Sequence, residues 1–105
     1  MALHITGKAN LDEAIKNAGA KLVVIDFFAT WCGPCRNISP VIDKMAAESD
    51  KVTFIKIDVD ENEAIAEEYN VTVMPTFVFL KDGKRVFDMS GANEANLKAA
   101  IEKHQ

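Results

Sequence analysis

Residues 21–35, KLVVIDFFATWCGPC, constrain the fold more tightly than any other stretch of the 105-residue chain. From Lys21 to Ala29 the run is almost continuously apolar and rich in β-branched and aromatic side chains. A central parallel strand covered on both faces reads this way. The run leads at once into Trp31-Cys32-Gly33-Pro34-Cys35, where proline supplies a pre-set φ and a helical pattern begins. A buried strand that feeds directly into a helix sets an α/β frame.

Cys32 and Cys35 are the only two cysteines. One helical turn apart, they can close on each other, but a disulfide across so short a loop stabilises a fold by only about 2 kcal/mol on the loop-closure relation. Its value is therefore chemical. The spacing puts Cys32 at a helix N-terminus, where backbone N–H groups lack intrahelical partners and the macrodipole is positive, so the thiolate is favoured over the thiol. Cys32 is the expected nucleophile. Cys35, deeper in the first turn and less open to substrate, is placed to attack a sulfur bonded to Cys32. Zinc is one alternative use of CxxC, but it takes four ligands, and the other candidates, His4 and His104, stand near opposite ends of the chain. No metal is expected. Two buried structural thiols are a second alternative, disfavoured by the Gly-Pro between them.

Asp26 does not belong in its apolar run. An ionised carboxylate there carries a heavy desolvation cost unless paired, and burial raises its pKa, so it can exchange a proton at working pH. It is a buried inert acid, a solvent-facing residue of an edge strand, or a proton acceptor lying under the dithiol. Because the strand feeds the CxxC helix, the third reading is the expectation.

Acidic residues outnumber basic ones by 16 to 12 with no long run of either sign, which argues against a nucleic-acid surface. The first residues show no cationic patch followed by a long apolar run, so no secretory leader is expected. Asp26 interrupts the longest apolar stretch, which excludes a spanning helix on length. One domain over residues 1–105, soluble and in a reducing compartment, is the expectation, and there a lone CxxC reads as a cycling redox pair.

Elsewhere the pattern predicts a short strand over 3–6, then a helix started by Asn10 with Glu13 as a capping box and stopped by Gly19. A helix from Cys35 to about Glu48 carries Ile38, Val41, Ile42, Met45 and Ala46 on one face, with a kink at Pro40. Val52–Asp58 is a second strand, and on it Lys56 is either a snorkelling surface lysine or the charge that faces Asp26. Asp60 with Glu63 predicts another capping box opening a helix to Asn70. The alternation of strand and helix implies right-handed crossovers and a parallel sheet. Thr76–Leu80 and Arg85–Met89 flank a Lys81-Asp82-Gly83-Lys84 hairpin turn, so the last two strands are antiparallel. Pro75 either leads plainly into its strand or follows a cis bond. Asn93 begins a final helix with Leu97, Ala100, Ile101 and His104 on one side, and His104 is expected to be an exposed end residue.

WCGPC after a strand carrying Asp26, the Met74-Pro75-Thr76 approach to a later strand, Pro40, Lys56 and Gly91 together resemble the thioredoxin family over the whole length, in its eukaryotic cytosolic branch. The resemblance implies the thioredoxin fold: a central mixed sheet, parallel strands plus a C-terminal antiparallel hairpin, flanked by about four helices. It implies a protein disulfide reductase in electron transport and redox homeostasis, with Cys32 as nucleophile, Cys35 as resolving thiol and Asp26 as buried proton acceptor. Lys56, Gly33 and Pro34 would tune these pKa values. Pro75 would be cis, and Trp31, Gly33, Pro34, Val59, Val73, Met74, Pro75, Gly91 and Ala92 would form the substrate surface. No bound cofactor is implied; electrons would come from NADPH through a thioredoxin reductase, and disulfide-containing client proteins would be the other partners. The location implied is cytoplasmic, with the nucleus as a second site. Phe28 stands where many bacterial members have tryptophan. No cysteine lies outside the motif, so covalent dimers are not expected; the chain reads as a monomer, with a weak non-covalent dimer as the alternative. The functional alternative is a redox-gated binding module that regulates client proteins, with turnover secondary.

Overall fold

The computed structural model describes residues 2–105, which form β1 (Leu3–His4), α1 (Lys8–Ala18), β2 (Leu22–Phe28), α2 (Gly33–Glu48), β3 (Val52–Asp58), α3 (Glu63–Glu68), β4 (Thr76–Lys81), β5 (Lys84–Ser90) and α4 (Glu94–His104). The strands make one sheet of order β1-β3-β2-β4-β5. β3 runs parallel to β1 and β2, whereas β4 is antiparallel to both β2 and β5. The apolar run of the sequence thus lies at the centre, as a strand buried on both faces must. The β4–β5 connection is tight because Asp82 and Gly83 both take positive φ, 52° and 76°, the geometry that matches the twist of paired strands.

Alternation along the strands divides the core in two. Val23, Ile25 and Phe27 of β2 pack with Ile55, Ile57, Val78 and Leu80 against Leu11 of α1 and Ile65 of α3. On the opposite face Leu22 and Val24 join Phe54, Phe77 and Phe79 under Ile38 and Ile42 of α2 and Leu97 and Ile101 of α4. The two-residue period of a strand produces this split from consecutive residues.

Helix α2 runs unbroken through Pro40, so the continuous periodicity prevails over the proline as expected. Three local expectations are corrected. Helix α1 begins at Lys8 rather than after Asn10, because Gly7 at φ 91° turns the chain there and its N–H is held by Asn62 Oδ1 at 2.8 Å; Asn10 instead donates back to the Thr6 carbonyl. Helix α3 starts after Asn62 rather than Asp60. Asn62 is buried and also donates to the carbonyls of Asp58 and Ile5, so it ties the first connection to the β3–α3 turn. His104 is half-buried rather than exposed, its ring stacked on Phe87 at 4.9 Å between centroids.

Candidate active site

The site forms where β2 ends and α2 begins. Cys32 is the N-cap of α2, with Pro34 in the first turn. Its Sγ accepts the otherwise orphaned N–H of Cys35 at 3.2 Å, so a sulfur here replaces the oxygen of an ordinary capping side chain. A disulfide joins Cys32 to Cys35, whose Cα atoms are 5.3 Å apart. The expected contrast in exposure is absent in this closed form, since Cys32 is 6% exposed and Cys35 4%. What separates them is their surroundings. Cys32 Sγ lies 3.7 Å from the carbonyl oxygen of Met74, on the outer side. Cys35 borders a cavity of about 200 Å³, partly open to solvent, that Asp26, Ser39 and Lys56 also line, with His4, Arg36 and Thr30 around it.

Asp26 is on β2, 4% exposed, and its Oδ1 has no protein hydrogen-bond partner. Burial pushes its carboxyl up to about 7; Lys56 pulls it down, and Asp43 pushes it up again. A carboxyl so placed exchanges a proton near neutrality. Lys56 is its neighbour in register on β3 and is itself buried. Of the two sequence expectations for this lysine, burial overturns the surface one, and the one that faces it to Asp26 is met in part. It stands beside Asp26, but its ammonium reaches α2, where Ser39 Oγ accepts at 2.7 Å and Asp43 Oδ1 at 2.8 Å.

Met74–Pro75 is a cis peptide, and Gly91, at φ 91°, donates its N–H to the Pro75 carbonyl at 2.9 Å. That bond ties the end of β5 to the residue after Met74, whose carbonyl lies by Cys32 Sγ. Met74 and Val59 pack with Phe28, Ala29 and the two cysteines. Around this patch Trp31 is 65% and Val73 53% exposed, large apolar groups left in solvent, while Pro34, Gly91 and Ala92 are exposed as well and Pro75 is covered. Trp31 is held by its Nε1–H, which donates to Asp60 Oδ2 at 2.9 Å. Sequence reasoning assigned Asp60 to a cap and missed this bond.

It also missed Ser39 and Asp43. Their signal was present: Cys35, Ser39 and Asp43 are spaced four apart, which puts all three on one stripe of α2. Among the described residues no group of three or more His, Cys, Asp or Glu side chains is placed to hold a metal ion. A groove of about 770 Å³ between α2 and α4, lined by Val41, Met45, Phe54 and Ile101, contains neither cysteine.

The Thioredoxin family model matches residues 2–103. Thioredoxin from Geodia cydonium is 52% identical, and the match covers 100% of both chains. Thioredoxin from Ictalurus punctatus is 43% identical, again over 100% of both. Among solved structures, Fasciola hepatica thioredoxin has a TM-score of 0.95 at 50% identity, covering 98% of this chain and 99% of that one. The chain belongs to the thioredoxin family and is a thiol–disulfide oxidoreductase that reduces protein disulfides through its Cys32–Cys35 pair.

Proposed function

We propose that the two cysteines divide the reaction between them. In the reduced protein the Cys32 thiolate, favoured by its place at the N-terminus of α2, attacks one sulfur of a client disulfide and expels the other as a thiolate. A mixed disulfide results. Cys35 then gives its proton to the Asp26 carboxylate through water in the shared cavity, which is roomy enough to hold it and offers Asp26, Ser39 and Lys56 as polar partners. The Cys35 thiolate attacks Cys32 Sγ, the client leaves with its second sulfur reduced, and two electrons have passed to it while the Cys32–Cys35 disulfide closes. Lys56 tunes this step through its charge next to Asp26.

Clients dock on the surface that Trp31, Gly33, Pro34, Val59, Val73, Met74, Pro75, Gly91 and Ala92 frame, where exposed apolar side chains surround the reacting sulfur. An NADPH-dependent thioredoxin reductase returns the electrons, and the chain itself binds no cofactor. The setting is the reducing cytoplasm and nucleus, and the working form is a monomer.

The observation that supports the assignment is the capping bond from Cys35 N–H to Cys32 Sγ, a donor that in the reduced protein favours negative charge on Cys32. Its test is a trapping experiment. Cys35→Ser should accumulate mixed disulfides with client proteins, because attack occurs and nothing resolves it, while Cys32→Ser should trap almost nothing. Equal trapping by the two variants, or faster alkylation of Cys35 than of Cys32 in the reduced protein at mildly acidic pH, would overturn the roles.

A further inference from the structure

The stripe of α2 that carries Cys35 also carries the two groups that hold Lys56. Side by side in register on β3 and β2, Lys56 and Asp26 project to the same face of the sheet. A buried ammonium next to a buried carboxyl with an unpartnered oxygen would ordinarily close on it. Here it does not: among the described residues the ion pair of Lys56 is with Asp43 at 2.8 Å, seconded by Ser39 Oγ at 2.7 Å, while Asp26 Oδ1 stays without a protein partner. Two acceptors on one helix face thus compete with Asp26 for a single cation.

We propose that Ser39 and Asp43 are positioning residues for the reduction reaction, a clamp that holds the Lys56 ammonium on α2, off the Asp26 carboxyl, and so sets the pH range in which Asp26 accepts the Cys35 proton. The inference rests on the reading of Asp26 as proton acceptor. Its logic is competitive. If Lys56 paired fully with Asp26, the carboxylate would be held ionised well into the acid range and would be a poor base for a thiol. If Lys56 were absent, burial would keep the acid protonated at neutrality. The clamp fixes an intermediate arrangement: the cation is near enough to be felt and too firmly held to neutralise the base.

The other groups facing this region do not duplicate the role. His4 of β1 and Arg36 of α2 border the cavity from its rim, both exposed, and Arg36 is turned to the Thr30 carbonyl at 2.9 Å. Asp58, two residues beyond Lys56 on the same strand face, is half-buried and accepts the N–H of Asp60. From β4 the register neighbour of Asp26 is Phe77, and α4 contributes Leu97, Ala100 and Ile101 to this face, all apolar. Among the described residues, the α2 pair alone holds the Lys56 ammonium by hydrogen bond or ion pair.

Two substitutions separate the clamp from a simple field effect. Asp43→Asn removes an anion and an anchor together, whereas Ser39→Ala removes an anchor with no change of charge. In both, Lys56 gains freedom to swing to Asp26 Oδ1, so the midpoint of Asp26 titration, followed by carboxyl carbon NMR in the reduced protein, should fall by about half to one pH unit. Ser39→Thr keeps the hydroxyl and should restore the wild-type midpoint; Lys56→Met should move it upward. The pH profile for release of the mixed disulfide, measured with insulin as the disulfide substrate, should shift in step with each midpoint. An unmoved Asp26 titration in Ser39→Ala, with or without a change in melting temperature, overturns the clamp. A titration that moves while the release profile stays put overturns the base role of Asp26, and the clamp's part in the reaction with it.

Discussion

The two faces of the sheet are made from alternate residues of the same strands, yet they are built to different ends. Under α1 and α3 every inward position of β2, Val23, Ile25 and Phe27, is apolar and buried to the end of the strand. Under α2 and α4 the series begins the same way with Leu22 and Val24 and then changes to Asp26, beside Lys56 where the first face has Ile55 and Ile57. One face is core throughout. The other passes from core to chemistry within a single strand, and it does so at the end where α2 begins. The difference teaches that the sheet can tolerate a poorly solvated acid because the opposite face is left to supply uninterrupted hydrophobic burial.

The comparison can be broken most severely at Phe27, which is fully buried and points away from the dithiol. Phe27→Ala should cost about 3–5 kcal/mol of stability in urea denaturation, with the activity of the remaining folded protein unchanged. Loss of activity beyond the loss of folded protein would mean that the faces are not separable.

Its chain neighbour should behave oppositely. Because the folded pKa of Asp26, about 7, lies above the ordinary 3.8, the folded state holds a proton that the unfolded state releases between those values. Stability associated with the protonated acid is therefore complete below about pH 4 and is lost as pH rises to about 7. Asp26→Ala removes that loss, and at pH 8 the variant should be more stable than the parent, with an upper bound on the order of 4 kcal/mol before lost packing is deducted. Near pH 3.5 the gain should vanish. Release of the mixed disulfide should slow near neutral pH while the first attack proceeds. Equal stability of the two proteins at pH 8 would contradict the burial cost.

A smaller effect sharpens the picture at α4, which covers the reactive face. Asn93 caps it, its Oδ1 accepting the Asn96 N–H at 2.9 Å, so Asn93→Ala should cost about 1 kcal/mol. Thermal melting would show it, and client reduction at 25 °C should be unchanged.

Most of this architecture was legible in the chain. Period-two and period-3.6 patterns are direct images of one-sided and two-sided burial, so the strands, the long helix and both core faces follow from them. Asp26 was legible because a charge inside an apolar run has few physical explanations. What could not be read was the competition among polar groups distant in sequence. Asn62 reaches back 55 residues to Gly7 and so displaces both helix starts from their apparent capping boxes. Asp60 is diverted from a cap to Trp31, and the Lys56 ammonium is taken by Ser39 and Asp43 of α2 although its neighbour in register is Asp26. Local propensity cannot rank such partners, because the choice depends on which acceptors the tertiary fold brings within 3 Å. The half-burial of His104 was hidden for the same reason: its partner Phe87 is on β5.

The disulfide closes within one turn of α2, at its very start, and neither core cluster is stapled by it. Gaining or losing that bond therefore need not rearrange the scaffold, much as a latch on an outer door leaves the frame of the house alone. A carrier built this way can hand over electrons repeatedly and present each new client with the same shape. Its rate of traffic is then governed by who can reach the latch, a property of a few exposed residues, while the strength of the house is settled elsewhere.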